Sequence, residues 1–193
     1  MAKIPTVAII GRPNTGKSTL FNKIIGRRKA IVTDTPGTTR DQVAGQVQGQ
    51  DLDYLLIDTG GMGGGTEDRA LEDDVHEQSK LALEHADVIV FTINSREELT
   101  GSDFEIVDIL RKSTKSHVPI LMVLTKCDDP STIDSLLPQY YQLGITDHII
   151  PISAPHRIGL EELEETIEEQ LKKLNFERVE EVENELPRIA VIG

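Results

Sequence analysis

The chain has 193 residues, 38% hydrophobic and 27% charged, a composition typical of a globular protein with one well-buried core. Its 33 acidic and 20 basic residues give a net charge of −13, which disfavours strong direct binding to nucleic acid because phosphate neutralisation needs clustered lysine and arginine. No apolar run approaches the ~18–20 residues of a membrane span and the amino terminus lacks the features of a signal peptide, so we expect a cytoplasmic protein without membrane contact.

Apolar strands alternate with amphipathic helices along the chain. "TVAII" at 6–10 predicts a strand buried on both faces, and "GKSTLFNKIIG" predicts a helix ending at Gly26. "QVAGQVQ" and "LDYLLID" predict a hairpin joined through "GQD". The remaining predicted elements are helical spacing at 67–85, a strand at 87–93, a helix at about 103–112, a strand at 118–124, a helix at about 131–142, a strand at 148–152 and a final helix.

The final helix has one apolar stripe opposite a row of glutamates. Its members recur at steps of three and four: Leu160, Leu163, Ile167, Leu171 and Leu174. This alternation of strands and helices predicts an α/β fold with a six-stranded, mostly parallel sheet and helices on both faces. We expect the strand order 2-3-1-4-5-6, with ligands bound at the carboxyl ends of the strands.

The clearest motif follows the first strand. Gly11 to Ser18 reads "GRPNTGKS" and fits G-x-x-x-x-G-K-[ST], a loop whose glycines let backbone N–H groups curl around phosphate oxygens. Lys17 would reach the β- and γ-phosphates and Ser18 would bind Mg²⁺. The motif lies between a predicted strand and a predicted helix, which is the context it requires.

Three further strands end in polar residues. "LLIDTGG" places Asp58 at a strand tip, where it can hold Mg²⁺, and the Gly61 amide can approach a γ-phosphate. "LMVLTKCD" ends in Lys126 and Asp128, and a carboxylate there can accept from both guanine N1–H and the 2-amino group, which adenine lacks. "PISA" offers a backbone amide to guanine O6, and the threonines of "DTPGTTRD" at 34–41 can reach Mg²⁺ and the γ-phosphate.

In this order, the segments resemble the Ras-like P-loop GTPases of the translation-factor-related class over residues 5–174. "GRPNTGKS", "PGTTRD" and "DTGG" narrow the resemblance to the Era, MnmE and EngA group. The resemblance implies a Ras-like fold that binds GTP and GDP with Mg²⁺. Hydrolysis would proceed by in-line attack of water on the γ-phosphate.

The end of the chain echoes its beginning. "PRIAVIG" at 187–193 shares four of seven positions with "PTVAIIG" at 5–11, and the glutamate-rich segment before it is typical of a solvated linker. We therefore expect a G domain at 1–174, an acidic linker at 175–186 and the start of a truncated second G domain at 187–193, disordered or packed adventitiously. A chain with two successive G domains resembles the EngA/Der family, of which this would be the first G domain.

The resemblance implies a role for each matching residue. Nucleotide contacts would come from Gly11, Asn14, Thr15, Gly16, Lys17, Ser18, Thr19, Asp58, Gly61, Thr125, Lys126, Asp128, Ser153 and Ala154. Catalysis would involve Asn14, Lys17, Thr39 and Gly61, with Mg²⁺ bound by Ser18, Thr39 and Asp58. Asn14 would help to bind K⁺, an ion that supplies positive charge where an arginine finger would otherwise act.

Two positions depart from the family patterns. Met62 stands where Ras-type enzymes carry the glutamine that orients water, so we expect slow turnover that K⁺ stimulates. Thr125 replaces the usual asparagine of the base-recognition motif, so we expect the guanine preference to survive with a somewhat lower nucleotide affinity. The glycine-rich loop at 60–70 is expected to be mobile without a γ-phosphate.

The leading prediction is a monomeric GTPase switch whose intact form serves maturation of the large (50S) ribosomal subunit. One alternative is a regulatory module that binds guanine nucleotides with negligible turnover, which Met62 would favour. Another is the G domain of a tRNA-modifying MnmE-like GTPase, although such a domain would follow a large helical region. An ATPase is disfavoured, because the match of "TKCD" and "PISA" to guanine recognition would then be a coincidence.

Overall fold

The computed structural model describes residues 3–27, 30–32, 43–59, 83–114, 117–129, 131 and 133–178. Within these ranges the strands are β1 (Thr6–Ile10), β2 (Ala30–Val32), β3 (Val43–Gln48), β4 (Asp53–Asp58), β5 (Val88–Asn94), β6 (Ile120–Thr125) and β7 (Ile149–Pro151). The helices are α1 (Lys17–Arg27), α2 (Gly101–Ser113), α3 (Ile133–Tyr141) and α4 (Leu160–Lys173). Residues 83–85 are also helical, whereas the rest of the helix predicted at 67–85 lies outside the described residues.

The strands form one sheet in the order β2-β3-β4-β1-β5-β6-β7. The hairpin β3–β4 and the pair β2–β3 are antiparallel, and every other neighbouring pair is parallel. The six predicted strands take the predicted order, and the short strand β2 adds a seventh at the edge. Three residues are too few to show an alternating pattern, so this strand is defined by its pairing with β3 rather than by its own sequence.

Helices cover both faces of the sheet, as predicted. Along β1, Val7 and Ile9 belong to the core on one face, with residues of α1 and α4. Ala8 and Ile10 belong to the core on the other face, with residues of α2 and α3. All five residues of β1 are buried, so the strand that leads into the glycine loop lies between two apolar layers and is held on both sides.

The predicted apolar stripe of α4 is confirmed. Four of its members are fully buried, at 0% exposure (Leu160, Leu163, Ile167 and Leu171), and Leu174, just past the helix end, is half-buried. None of the helices that the structure describes is long and apolar enough to cross a membrane.

The turn of the β3–β4 hairpin, residues 49–51, is fastened to the carboxyl-terminal part of the domain. The carboxylate of Glu168 on α4 accepts from the backbone N–H of Gln50 at 2.9 Å and of Asp51 at 2.7 Å. Lys172 pairs with the Asp51 side chain at 2.5 Å, and Arg178 donates to the Gly49 carbonyl at 3.2 Å. The chain therefore still contacts the domain four residues into the segment predicted as a linker.

Candidate functional site

Four parallel strands bring their carboxyl ends to one edge of the sheet. Ile9 pairs with Asp58 between β1 and β4, and Asn94 pairs with Thr125 between β5 and β6. The glycine loop, the Asp58 strand tip and the 125–128 turn consequently lie along a single edge, where the sequence predicts the ligand.

Sterics impose the shape of the glycine loop at Gly11. A Cβ added there would lie 2.3 Å from Thr92 Oγ1 and 2.6 Å from the Thr92 carbonyl oxygen, so only glycine fits. Thr15, fully buried, contacts Thr92 Oγ1 at 2.8 Å through its own hydroxyl and donates to the Arg12 carbonyl at 3.0 Å. These contacts hold the loop against β5.

Two loop residues have left-handed backbones, Asn14 with φ 64° and Gly16 with φ 93°. Asparagine and glycine are the residue types that adopt this conformation at low cost. Gly16 lies next to Thr125, and the Asn14 carbonyl accepts from Lys126 Nζ at 3.0 Å. The loop therefore contacts the 125–128 turn directly.

Lys17 is the buried cation of the loop, at 7% exposure. Its Nζ donates to the carbonyl oxygens of Gly11 and Arg12, each at 2.8 Å. Burial lowers the pKa of Lys17 to about 8, with the Asp58 charge opposing that shift and the Arg12 charge adding to it. The ammonium group is thus desolvated and surrounded by neutral oxygens, an environment that favours an incoming anion.

Oxygen donors for a divalent cation are present beside Lys17. Asp58 is 1% exposed at the tip of β4, and its charge acts on Lys17. Ser18 and Thr19, both exposed, occupy the first turn of α1. Carboxylate and hydroxyl oxygens are ligands that Mg²⁺ prefers, so Asp58 and Ser18 fit the predicted magnesium site.

Arg12 anchors the loop to α2. Its Nε donates to both carboxylate oxygens of Asp103 at 3.2 Å, and its Nη2 pairs with Glu97. The Asp103 side chain, fully buried, also accepts from the backbone N–H of Thr100 at 2.9 Å, which satisfies the start of α2. Burial opposes the charge on Arg12, but the Glu97 and Asp103 carboxylates outweigh it and raise the pKa of Arg12.

The 125–128 turn carries the predicted base-recognition residues. Asp128 Oδ1 accepts from Ser153 Oγ at 2.6 Å, and its Oδ2 is paired with Arg96. The Ser153 hydrogen bond, aided by the Arg96 charge and opposed by slight burial, lowers the pKa of Asp128. Asp128 therefore offers an ionised carboxylate that can accept from two neighbouring donors.

Thr125 connects the two parts of the site. Its hydroxyl contacts the Thr15 carbonyl in the glycine loop and the Ile93 carbonyl at 3.1 Å. The threonine that departs from the family motif thus still binds the loop backbone.

The segment after β7 supplies the last predicted residues. The Ser153 amide donates to the Ile158 carbonyl at 3.1 Å, so this amide is already used within the protein. Ala154 follows, 6% exposed. Three further residues lie outside the described residues: Thr39, Gly61 and Met62.

Sequence reasoning missed the polar residues at the tip of β5 and in the loop after it. Glu97 pairs with Arg12 of the glycine loop, and Arg96 pairs with Asp128 of the 125–128 turn. Asn94 Nδ2 donates to Glu97 at 2.5 Å. The available signal was the same as for Asp58, namely polar residues following a buried strand. Arg12 was missed because its partner Asp103 lies on another element, and no spacing rule connects them.

Both the sequence and the fold resemble those of known proteins. The family described as 50S ribosome-binding GTPase matches residues 6–126. The protein named GTPase Der from Citrifermentans bemidjiense is 42% identical over 189 residues, which cover 98% of this chain and 41% of that protein. GTPase Der from Alkaliphilus metalliredigens is 43% identical over 193 residues, or 42% of its length. The chain thus spans about two-fifths of these relatives.

The solved structures agree with these sequence matches. Aquifex aeolicus Era bound to GDP·AlF4⁻ has a TM-score of 0.66 at 31% identity, covering 87% of this chain and 57% of that one. The G domain of the T. maritima FeoB iron transporter has a TM-score of 0.63 at 27% identity, covering 88% of this chain and 99% of that one. The fold is accordingly that of a Ras-like G domain.

The family match covers more than half of the chain. The matched residues include the glycine loop, Asp58 and Lys126. The chain resembles one G domain of GTPase Der. It belongs to the 50S ribosome-binding GTPase family.

Proposed function

We propose that this domain binds guanine nucleotides and hydrolyses GTP to GDP and phosphate, changing state with the nucleotide it holds. The observation that carries the proposal is the link between the two ends of the site. Lys126 Nζ donates to the Asn14 carbonyl at 3.0 Å, and the Thr125 hydroxyl contacts the Thr15 carbonyl. A phosphate cradle and a base-recognising carboxylate are thereby held at a defined separation, as binding of a nucleotide requires.

The base would be recognised by Asp128. Guanine presents N1–H and the 2-amino group side by side, and an ionised carboxylate accepts from both, whereas adenine offers no such pair of donors. Because the Ser153 amide donates to Ile158, we assign the donor for guanine O6 to the Ala154 amide. Lys126, aligned toward the glycine loop, would lie along the base.

The phosphates would be bound by the glycine loop. Lys17 would exchange the carbonyl oxygens of Gly11 and Arg12 for oxygens of the β- and γ-phosphates, which stabilises its charged form. Backbone N–H groups from Asn14 to Thr19 and the amino-terminal end of α1 add positive potential at the same place.

Mg²⁺ would be held by Ser18 and Asp58, together with Thr39. When bound, the ion neutralises negative charge that develops on the phosphate oxygens. Asp58 would in addition keep Lys17 charged, since its carboxylate raises the lysine pKa against the effect of burial.

Hydrolysis would be slow and stimulated by K⁺. Gly61 would donate its amide to the γ-phosphate while water attacks in line, and Met62 offers no group to orient that water. The side-chain oxygen of Asn14 would bind K⁺ next to the phosphates. The same methionine supports the alternative, a regulatory module that binds guanine nucleotides without turnover.

Single-turnover GTP hydrolysis in KCl and in NaCl tests this proposal, with GDP and ADP affinities measured alongside. We expect GDP to bind well over tenfold more tightly than ADP and hydrolysis to be faster in K⁺. Asn14→Gly keeps the left-handed backbone and removes the side-chain oxygen, so it should abolish the difference between the salts. Asn175→Gly is the matched control, since Asn175 has the same φ of 64° away from the site.

Each outcome of that experiment has a definite meaning. Equal rates in the two salts contradict the role of K⁺. GDP binding with no turnover in either salt supports the regulatory alternative. Comparable GDP and ADP affinities contradict the whole proposal.

We further propose that the intact protein acts in the cytoplasm in maturation of the large ribosomal subunit, with this domain monomeric. Supporting observations are the family description and the relatives named GTPase Der, which favour EngA/Der over an MnmE-like protein. An Era structure at 32% identity and TM-score 0.65 contains 16S ribosomal RNA, and it covers 88% of this chain and 57% of that one. Because this domain is acidic, we assign most RNA affinity to other parts of the protein.

Nucleotide-dependent co-sedimentation of the intact protein with 50S subunits tests the ribosomal role.

We also propose that residues 187–193 begin a second G domain. The sequence that follows Gly193 in the parent gene tests this, because a second "RPNxGKS" is expected there.

A further inference from the structure

The loop after β5 holds the 125–128 turn through four hydrogen bonds. Ser95 donates to the Thr125 carbonyl through its backbone N–H at 3.0 Å and its hydroxyl at 2.8 Å. Arg96 Nε donates to the Lys126 carbonyl at 3.2 Å, and Arg96 Nη2 pairs with Asp128 Oδ2. One guanidinium group therefore contacts both the backbone of the turn and the carboxylate at its end.

The turn has a backbone that needs such support. Lys126 has a φ of 59°, a left-handed conformation that costs a non-glycine residue about 1 kcal/mol or more. Arg96 binds the carbonyl of this residue, and the next N–H, that of Cys127, donates to the Ile152 carbonyl at 2.9 Å. Neighbouring segments thus fix the turn from both sides.

The carboxylate of Asp128 is held by a different group at each oxygen. Ser153 Oγ donates to Oδ1 at 2.6 Å, and Arg96 donates to Oδ2. A carboxylate accepts about four hydrogen bonds, so these two leave one acceptor position on each oxygen. Arg96 therefore orients the carboxylate without excluding the two donors of a guanine edge.

Arg96 is itself anchored to the phosphate end of the site. Its backbone N–H donates to Asn94 Oδ1 at 3.1 Å, and Asn94 Nδ2 donates to Glu97 at 2.5 Å. Glu97 in turn pairs with Arg12 of the glycine loop. The guanidinium thus extends from a backbone that the phosphate loop helps to hold.

Exposure argues against a role in stabilising the fold. The side chains of Arg96 and Asp128 are 60% and 37% exposed, and exposed ion pairs contribute little to stability. We propose that Arg96 is a positioning residue for guanine specificity, which fixes the Asp128 carboxylate so that both of its oxygens face the base. This inference rests on the proposed guanine-nucleotide binding.

The test compares the affinities of GDP and inosine diphosphate for the wild-type protein, Arg96→Met and Arg96→Lys. The base of inosine diphosphate keeps N1–H but lacks the 2-amino group, so it donates to only one of the two carboxylate oxygens of Asp128. For Arg96→Met we expect a three- to tenfold loss of GDP affinity, roughly the scale of one exposed charged contact, and a smaller loss for inosine diphosphate. Arg96→Lys keeps the positive charge but lacks the planar guanidinium group that binds two acceptors at once. It should therefore recover only part of the ratio of GDP affinity to inosine diphosphate affinity.

Arg111→Met is the matched control. Arg111 is also half-exposed, lies 3.6 Å from Asp108, and donates to the Leu143 carbonyl, away from the site. We expect it to leave both affinities unchanged. Thermal unfolding of all variants should show the same midpoint within about 2 °C, since both ion pairs are exposed.

A lowered GDP/inosine ratio in Arg96→Met, with the control unchanged, supports the inference. An unchanged ratio, or tighter GDP binding because the arginine competes with the base, overturns it. A wild-type protein that does not prefer GDP to ADP contradicts the proposed function itself, so the two failures are distinguishable.

Discussion

The two ends of the site are built in opposite ways. At the phosphate end the shape of the loop depends on backbone and packing: Thr15 is fully buried, and Gly11 has no room for a Cβ. At the base end the determinants are side chains of partly exposed residues, Asp128 and Arg96, held by hydrogen bonds. Substitutions at the phosphate end should therefore abolish most of the nucleotide affinity. Substitutions at the base end should lower the affinity by an amount that depends on how many hydrogen bonds are lost.

The largest effect should come from Gly11→Ala. The new Cβ would lie 2.6 Å from a backbone oxygen, so the loop has to move, and we expect more than a 100-fold loss of GDP affinity and a lower free energy of unfolding. Titration calorimetry and urea denaturation measure the two. Gly26→Ala, with nothing within 4 Å of its Cβ and a helical position, should instead stabilise the protein by about 0.5 kcal/mol.

Asp128→Asn should change specificity without disturbing the fold. An amide replaces one acceptor with a donor, which faces a donor of guanine, so we expect roughly a 100-fold loss of GDP affinity. Xanthosine diphosphate carries a carbonyl in place of the 2-amino group and should bind the variant more tightly than GDP does. If GDP affinity stays within threefold of wild type, the assignment of Asp128 is wrong.

Thr125→Val tests whether the two ends are linked. The substitution keeps the shape and removes the hydroxyl that contacts the Thr15 carbonyl, so this oxygen loses a donor. We expect the free energy of unfolding to fall by about 1 kcal/mol, measured by urea denaturation. Thr166→Val is the control, because the Thr166 hydroxyl donates to the Glu162 carbonyl at an exposed helix position. Equal effects of the two substitutions would contradict a special role for Thr125.

The smallest effect concerns pH. Since the pKa of Lys17 is lowered to about 8, raising the pH from 7 to 8.5 reduces its protonated fraction in the free protein. Phosphate binds the protonated form, so GDP affinity should fall about fourfold over this range.

Stability should change in the opposite direction. The unfolded state, with an ordinary lysine pKa of about 10.4, binds more protons than the folded state above pH 8, so the free energy of unfolding of the nucleotide-free protein should rise with pH. Lys17→Met should remove this rise. A slope that persists in the variant would assign it to another group.

The sequence predicted most of the fold because its elements carry strong local patterns. The stripe of α4 and the buried run of β1 indicate both element type and the face that is covered. The edge strand β2 could not be predicted, since its three residues are defined by pairing with β3. The phosphate loop was predictable because one continuous motif encodes it.

The base end was only partly predictable. Asp128 and Ser153 were identified by motif, but the contact of Arg96 with Asp128 joins residues 32 positions apart through side chains. The partly buried Arg12–Asp103 pair spans 91 positions. Such contacts depend on the tertiary arrangement of loops, which no local pattern specifies.

The fastening of the β3–β4 hairpin turn has a mechanical consequence. The hairpin lies between residues 33–42 and 60–82 along the chain. Its turn is fixed to α4 through Glu168 and to Arg178, the last described residue. If the strands moved at the nucleotide edge, the opposite end of the hairpin would stay fixed by these hydrogen bonds. The hairpin would then rotate about its turn instead of sliding, and strain would be transmitted to α4 and Arg178.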